Sequence, residues 1–201
     1  MIRVLDARFL TTAVEESGWP PGEVNEIAFV GRSNVGKSSM INALTGRRKL
    51  VRVSNTPGRT RTLNFFDVQL ERGDQRRTLR LADLPGYGFA KVSRTERASW
   101  ERMITSYLER RTSLRGVVAI VDAEVGATED DVRTLAYLVS GGRRVLVAAT
   151  KLDRLGKARR KPSLAAIAER LSVPRDSVLG FSATEKLGVP EVWQSLWAAT
   201  S

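Results

Sequence analysis

Apolar residues along this chain fall into short runs that alternate with stretches of helical periodicity. Ile27–Val30 predicts a strand ending at a glycine, and Val117–Val121 and Val145–Ala149 are continuous, β-branched runs of the kind that sit in strands buried on both faces. Leu63–Leu70 and Thr78–Leu81 flank Gly73-Asp74 and predict two strands around a turn; Val178–Leu179 predicts one more, short strand. Helices are predicted at Ser38–Leu44, Glu129–Val139, Leu164–Leu171 and Val192–Trp197. In the second of these Val132, Leu135, Ala136 and Val139 share one face. Trp193 and Trp197, four residues apart, predict a C-terminal helix that faces the core. Six strands alternating with helices predict one α/β domain with a mainly parallel sheet, flanked by helices. Ligands in that architecture bind beyond the carboxyl ends of the strands. Pro20-Pro21 marks a turn before the first predicted strand, so residues 1–22 read as an N-terminal extension and 23–201 as the domain proper.

Composition narrows the picture. The 201 residues carry no apolar run near the ~18 residues of a membrane span. Met1–Leu10 holds Arg3, Asp6 and Arg8 where a signal peptide would be apolar, so a cytoplasmic location is expected. The absence of cysteine excludes disulfide and thiolate chemistry, and the absence of histidine removes the usual neutral-pH general base. Thirty-three Lys and Arg against 22 Asp and Glu give a net charge of +11, a field that favours polyanionic partners such as RNA. The cations cluster at Arg47-Arg48-Lys49 with Arg52, at Arg59 and Arg61, and at Arg154, Lys157, Arg159, Arg160 and Lys161.

The chemistry begins at Gly31-Arg32-Ser33-Asn34-Val35-Gly36-Lys37-Ser38, followed by Ser39, between a predicted strand and a predicted helix. In this phosphate-loop pattern the glycines let backbone N–H groups turn toward phosphate, and the helix N-terminus adds partial positive charge. Lys37 is the candidate to neutralise the β- and γ-phosphates and Ser38 to bind Mg²⁺. Asp83-Leu84-Pro85-Gly86 closes a strand further on; Asp83 is placed to hold Mg²⁺ through water, and the Gly86 amide to meet a γ-phosphate. Thr150-Lys151-Leu152-Asp153 follows the strand Val145–Ala149. A carboxylate at Asp153 accepts from guanine N1–H and its 2-amino group together, whereas adenine would leave it desolvated and unpaired. The stem of Lys151 suits one face of the base. Phe181-Ser182-Ala183 is expected to offer backbone amides to guanine O6. Each element is a weak signal by itself. In this order they predict guanine-nucleotide binding.

A hydroxyl from the loop between the first helix and second strand is needed to complete the Mg²⁺ shell. Thr56, Thr60 and Thr62 all qualify by position, and Pro57-Gly58 favours Thr60. Gly86 is followed by Tyr87 rather than the water-positioning glutamine of Ras-type enzymes. Slow unaided hydrolysis is therefore expected, relieved by a partner or by a cation. Asn34 is a candidate K⁺ ligand beside the phosphates; its alternative role is to fill the loop.

Glu26–Ser39, Thr56–Phe66, Asp83–Val92, Thr150–Asp153 and Phe181–Ala183 together resemble the EngB family of bacterial GTPases, in the Era-like class. Pro-Gly-Arg-Thr and Asp-Leu-Pro-Gly-Tyr-Gly are its distinguishing stretches, and the resemblance spans residues 9–198. It implies a Ras-like fold, GTP or GDP with Mg²⁺, and a role in assembling the large ribosomal subunit, through the subunit itself or its rRNA. It selects Thr60 as the switch ligand, with Ser38 and Asp83 at the metal and Lys37, Thr60 and Gly86 at the reaction. It places Gly58, Arg59, Thr60, Arg61 and Thr62 about the nucleotide, and makes Thr150 this family's usual replacement for asparagine. Arg61 departs from a common glutamine, and Ala123-Glu124-Val125-Gly126 from a more basic loop. A monomer is expected. Two other readings compete: a P-loop ATPase or nucleotide kinase, and an RNA- or ribosome-binding module in which nucleotide is only structural.

Overall fold

Strands that are apolar on both faces need helices on both sides, and the chain supplies them. The computed structural model describes residues 1–51, 62–87 and 94–201. Along the chain come β1 (Arg3–Ala13), β2 (Glu26–Gly31), α1 (Lys37–Thr45), β3 (Leu63–Arg72), β4 (Gln75–Asp83) and α2 (Arg94–Arg110). They are followed by β5 (Leu114–Asp122), α3 (Glu129–Ser140), β6 (Val145–Thr150), α4 (Lys157–Arg170), β7 (Val178–Gly180) and α5 (Val189–Ala199). The seven strands lie in the order β1-β3-β4-β2-β5-β6-β7. β4, β2, β5, β6 and β7 run parallel, while β3 pairs antiparallel with both β4 and β1.

Alternation along β2 divides the core. Ile27 and Phe29 pack with Met40, Ile41 and Leu44 of α1 and Val192, Trp193 and Trp197 of α5. Ala28 and Val30 face the other way, with Tyr107 and Leu108 of α2 and Leu138 of α3. Beyond them Val147 and Ala149 meet Leu135 of α3 and Ile167 and Ala168 of α4. Both C-terminal tryptophans are core residues as predicted, and the Trp193 indole N–H donates to the Leu44 carbonyl at 3.0 Å, fastening α5 to α1.

The sheet has seven strands, not the six predicted. The additional one is β1, from the stretch read as an N-terminal extension. Its register against β3 slips between Val4 and Asp6 and again between Phe9 and Thr11. Each slip reverses which parity faces inward, so no period of two survives in the sequence. Arg3, Asp6 and Arg8 mask it further, as charges on edge strands do. α2 is also absent from the predicted helices, because Arg94-Thr95-Glu96-Arg97 and Glu101-Arg102 make much of its sequence polar; Met103, Ile104, Tyr107 and Leu108 nevertheless pack into the core. α4 begins at Lys157 rather than Leu164, taking Pro162 inside the helix. The basic run Lys157–Lys161 is thus helical surface rather than loop.

At the amino ends of the strands lies a buried charge network. Glu26 accepts from the Tyr107 hydroxyl at 2.8 Å, from Arg111 Nε at 2.9 Å and from Arg80 Nη1 at 3.4 Å. Arg80 also donates to Asp67 at 2.7 Å, and the Pro20 and Pro21 carbonyls accept from Arg111 and Arg80 at 2.6 and 2.7 Å. Burial, then the Glu26 charge, pushes the Tyr107 phenol well above its ordinary pKa and keeps it a donor.

Candidate nucleotide site

β2 delivers the chain to the carboxyl edge of the sheet at Gly31. A Cβ there would lie 2.8 Å from Val35 Cγ1 and 3.0 Å from the Ile120 carbonyl oxygen, so no larger residue fits. The loop that follows turns through two left-handed residues, Asn34 at φ 60° and Gly36 at φ 96°, and this brings successive amides to one side. α1 opens at Lys37 with no side-chain cap, and its first intrahelical bond is Met40 N–H to the Gly36 carbonyl at 2.9 Å. Helix-start amides of Lys37, Ser38 and Ser39 therefore face the loop with the positive end of the helix dipole, a seat for phosphate. Buried Val35 anchors the loop to the core.

β4 ends beside this loop. Asp83, 1 % exposed, forms an ion pair with the buried Lys37 ammonium. The Ser38 hydroxyl makes no hydrogen bond to another described residue. A hydroxyl beside a carboxylate is an oxygen donor set that fits Mg²⁺, an ion that takes few protein ligands and fills its shell with water and phosphate. Among the described residues there is no group of three or more acidic, histidine or cysteine side chains able to hold a metal.

Past Asp83 the chain is clamped onto the phosphate loop. Leu84 N–H donates to the Phe29 carbonyl at 3.1 Å, Tyr87 N–H to Gly31 at 3.2 Å, and Ser33 N–H to Tyr87 at 3.0 Å. Leu84 and Pro85 are buried. Between the clamps, the Gly86 amide has no acceptor among the described residues. A Cβ on Gly86 would come within 2.9 Å of the Ser33 nitrogen, so glycine is what permits this approach. The Tyr87 hydroxyl turns to α3 and donates to Asp131 Oδ1 at 2.8 Å. Asp131 Oδ2 in turn accepts from the Thr128 N–H at 2.8 Å and the Thr128 hydroxyl at 2.7 Å, the capping box of that helix. Burial, reinforced by the Asp131 charge, raises the Tyr87 phenol pKa, so it remains a neutral donor. Tyr87 thus braces the root of its loop.

On the base side, Thr150 ends β6 and is buried; its hydroxyl lies 2.5 Å from the Val35 carbonyl and 3.2 Å from that of Val121. It ties the base-reading loop to the phosphate loop. Lys151 adopts φ 58°, and its ammonium meets Asp122 at 2.6 Å. Leu152 is buried and its N–H donates to the Phe181 carbonyl at 3.2 Å. Asp153 Oδ1 accepts from the Ser182 hydroxyl at 2.7 Å, which leaves most of the carboxylate's acceptor sites for a ligand. Of the three amides expected to serve guanine O6, Phe181 N–H donates to Ala149 at 2.7 Å and Ser182 N–H to Leu187 at 3.1 Å. That leaves the half-buried Ala183 as the available donor.

The structure therefore brings together Gly31–Ser39, Asp83–Gly86, Thr150–Asp153 and Phe181–Ala183 at one edge of the sheet. Thr62 is described just before β3. Thr56, Gly58, Arg59, Thr60 and Arg61 lie outside the described residues, as does Lys91. Sequence reasoning missed Asp122, the Tyr87–Asp131 bond, and Arg160, which binds Glu185 bidentately at 2.7 and 2.8 Å just past Ala183. Asp122 carries a signal of its own, an acid closing a buried apolar strand as Asp83 does. The other pairs join residues too far apart in sequence for any pattern to register.

A phosphate loop at the carboxyl edge, a strand-end aspartate beside its lysine and Asp153 held by the Ser182 hydroxyl on the neighbouring loop are the arrangement expected of a P-loop GTPase. Residues 26–151 match the family model described as 50S ribosome-binding GTPase. A probable GTP-binding protein EngB of Myxococcus xanthus is 67% identical over 196 residues, covering 98% of this chain and 95% of that protein. Its namesake in Anaeromyxobacter dehalogenans is 51% identical, covering 98% and 92%. Among solved structures, a probable GTP-binding protein engB overlays with a TM-score of 0.66 at 24% identity, covering 87% of this chain and 98% of that one. Aquifex aeolicus Era bound to GDP and aluminium fluoride gives 0.71 at 22% identity, covering 89% and 57%. At that identity the overlays bear on the fold, which they share. The chain belongs to the EngB family of GTP-binding proteins, and its enzyme class is GTPase. Among the described residues no helix is long and apolar enough to cross a membrane.

Proposed function

We propose that this protein is a Mg²⁺-dependent GTP switch with slow unaided hydrolysis, acting in the cytoplasm as a monomer on the large ribosomal subunit or its rRNA precursor. Impaired division or septation would be a downstream consequence of losing it. The observation that carries the reading is the Gly86 backbone held against the phosphate loop by clamps on both sides, its amide without an acceptor among the described residues, at the place where a γ-phosphate would distinguish GTP from GDP. The working unit is the domain 23–201, with residues 1–22 adding an edge strand. In our assignment the loop Gly31–Ser39 takes the phosphates and Lys37 neutralises them. Ser38, Asp83 and Thr60 hold the metal, whose bound charge stabilises the phosphoryl oxygens. Asp153, Ala183 and the Lys151 stem read guanine, and Gly58, Arg59, Thr60, Arg61 and Thr62 belong to the nucleotide-binding set, with Thr60 as the switch ligand.

Slow hydrolysis follows from the chemistry of the side chains present. The chain has no histidine, and the Tyr87 hydroxyl is engaged with Asp131 where Ras-type enzymes use a glutamine on water. Asn34, exposed and left-handed, is the candidate K⁺ ligand. Turnover should be faster in K⁺ than in Na⁺ and lose that difference in Asn34→Ala; equal rates in both salts remove the K⁺ role. The ribosomal partner is supported by the description of the matched family model and by the net charge of +11. The test is co-sedimentation with purified large subunits in GTP, GDP, a non-hydrolysable analogue or no nucleotide. Stronger association with GTP and the analogue is expected. Equal association in all four defeats the switch.

A further inference from the structure

At the end of the sheet opposite the nucleotide site, a polar pocket of about 530 Å³ opens between the amino ends of β2, β5 and β6. Arg115, Arg143 and Arg144 line it with Asn25, Thr200 and Ser201, and no acidic side chain does. Two of the three arginines are fixed from below. Arg115 Nε donates to Asn25 Oδ1 at 2.8 Å, and Arg143 to the Leu108 and Glu109 carbonyls. Arg77 extends the patch: it lies 4.2 Å above the Trp197 ring centroid and donates to the Ser201 hydroxyl at 2.9 Å. None of these four guanidiniums forms an ion pair with a described residue. Elsewhere on the surface Arg3, Arg47, Arg76, Arg110, Arg154 and Arg170 each meet a carboxylate. The floor therefore gathers several cations that no acidic side chain among the described residues pairs.

We propose that this basic floor seats the phosphodiester backbone of RNA, on the face opposite the nucleotide and irrespective of which nucleotide is bound. Planar guanidiniums suit phosphate oxygens, and they are held here over a concave polar surface. A membrane would call for apolar side chains projecting beside the cations, where the lining offers an amide and two hydroxyls. The six residues of β2 separate floor from phosphate loop by about 20 Å, so both ligands fit at once. The proposal rests on the RNA partner named above. It adds an affinity that does not switch to one that does.

The test is anisotropy of a labelled RNA hairpin against the full chain across a KCl titration, with GTP or GDP present. Arg115→Gln with Arg144→Gln should weaken binding by about tenfold or more, and flatten the slope of log K against log salt by roughly 1.5–2. Both effects should be the same in either nucleotide, with nucleotide affinity unchanged. Arg144→Gln alone should give about half the change in slope. The charge-matched pair Arg8→Gln with Arg133→Gln should stay within about twofold of the parent. Unchanged affinity in the floor variant, or an equal loss in the charge-matched pair, overturns the proposal. So does loss of binding to phosphatidylglycerol vesicles with RNA binding intact. The wild-type co-sedimentation experiment is separate: nucleotide-independent sedimentation defeats the switch, whereas an unaffected floor variant defeats only this surface.

Discussion

Two buried charge clusters sit at opposite ends of one sheet, and they are built differently. At the amino end, Glu26 and Asp67 face Arg80 and Arg111 in a charge-balanced set, completed by the Tyr107 hydroxyl and the Pro20 and Pro21 carbonyls. Planar guanidiniums hold several acceptors at once, and the geometry admits no further ligand. At the carboxyl end, Lys37 pairs with Asp83, and among the described residues neither that pair nor the Ser38 hydroxyl nor the helix-start amides have a further partner. A lysine is a single mobile charge on a flexible stem, able to leave one oxygen for another. Burial of opposite charges says little about purpose; the saturation of their hydrogen bonds says much more. We propose that the saturated set is structural and the unsaturated pair belongs to the nucleotide site.

Breaking each pair separates these roles. Glu26→Ala leaves two buried guanidiniums without their shared acceptor and should destabilise by about 3–5 kcal/mol. For a chain of this size that lowers Tm by on the order of 10 °C, while guanine nucleotide choice should not change. Differential scanning calorimetry and GDP titration read the two. Lys37→Ala removes the phosphate's cation and should weaken GDP binding by roughly 10²-fold, from about 2–5 kcal/mol for a buried charge partner. Its effect should appear in nucleotide titration at unchanged guanine-over-adenine preference.

Smaller changes sharpen the contrast within the site itself. Tyr87→Phe deletes one hydrogen bond to a charged acceptor, about 1.5–3 kcal/mol, while Asp131 keeps its two bonds from Thr128. The GTP-over-GDP affinity ratio should fall, with GDP affinity nearly constant; an unchanged ratio would mean Tyr87 does not position Gly86. Smallest is Arg160→Gln, which loses a solvent-screened bidentate pair and should lower the melting temperature only slightly. Arg160 holds the Glu185 carboxyl below its ordinary range. The contribution is therefore complete above the ordinary glutamate pKa and disappears as pH falls through the lowered value. Thermal melts at neutral and acid pH should differ between parent and variant only at neutral pH.

How legible each part was depends on whether its cause is local. β5 and β6 announce themselves because doubly buried parallel strands need continuous apolar runs. The phosphate loop does so because Gly31 and Gly36 meet steric demands that only glycine satisfies. β1 does not, since two register slips scramble its alternation, and α2 does not, since charged residues such as Arg94, Glu96, Arg97, Glu101 and Arg102 interrupt its apolar pattern. Within the site, Asp153 could be assigned a partner from the chemistry of guanine alone. Its intramolecular partner, the Ser182 hydroxyl, required the fold. Thr150 shows the same limit: resemblance identifies it as a replacement for asparagine, while only the structure shows its hydroxyl reaching back to Val35.

The central claim is that Asp153 makes this phosphate-binding domain specific for guanine. Titrating Asp153→Asn with GDP and with xanthosine diphosphate tests it most directly, because xanthine carries a carbonyl where guanine has its 2-amino group. The account predicts a loss of guanine affinity approaching roughly 10⁴-fold and a gain for the xanthine nucleotide. Retained GDP affinity with no gain for xanthosine diphosphate would contradict it.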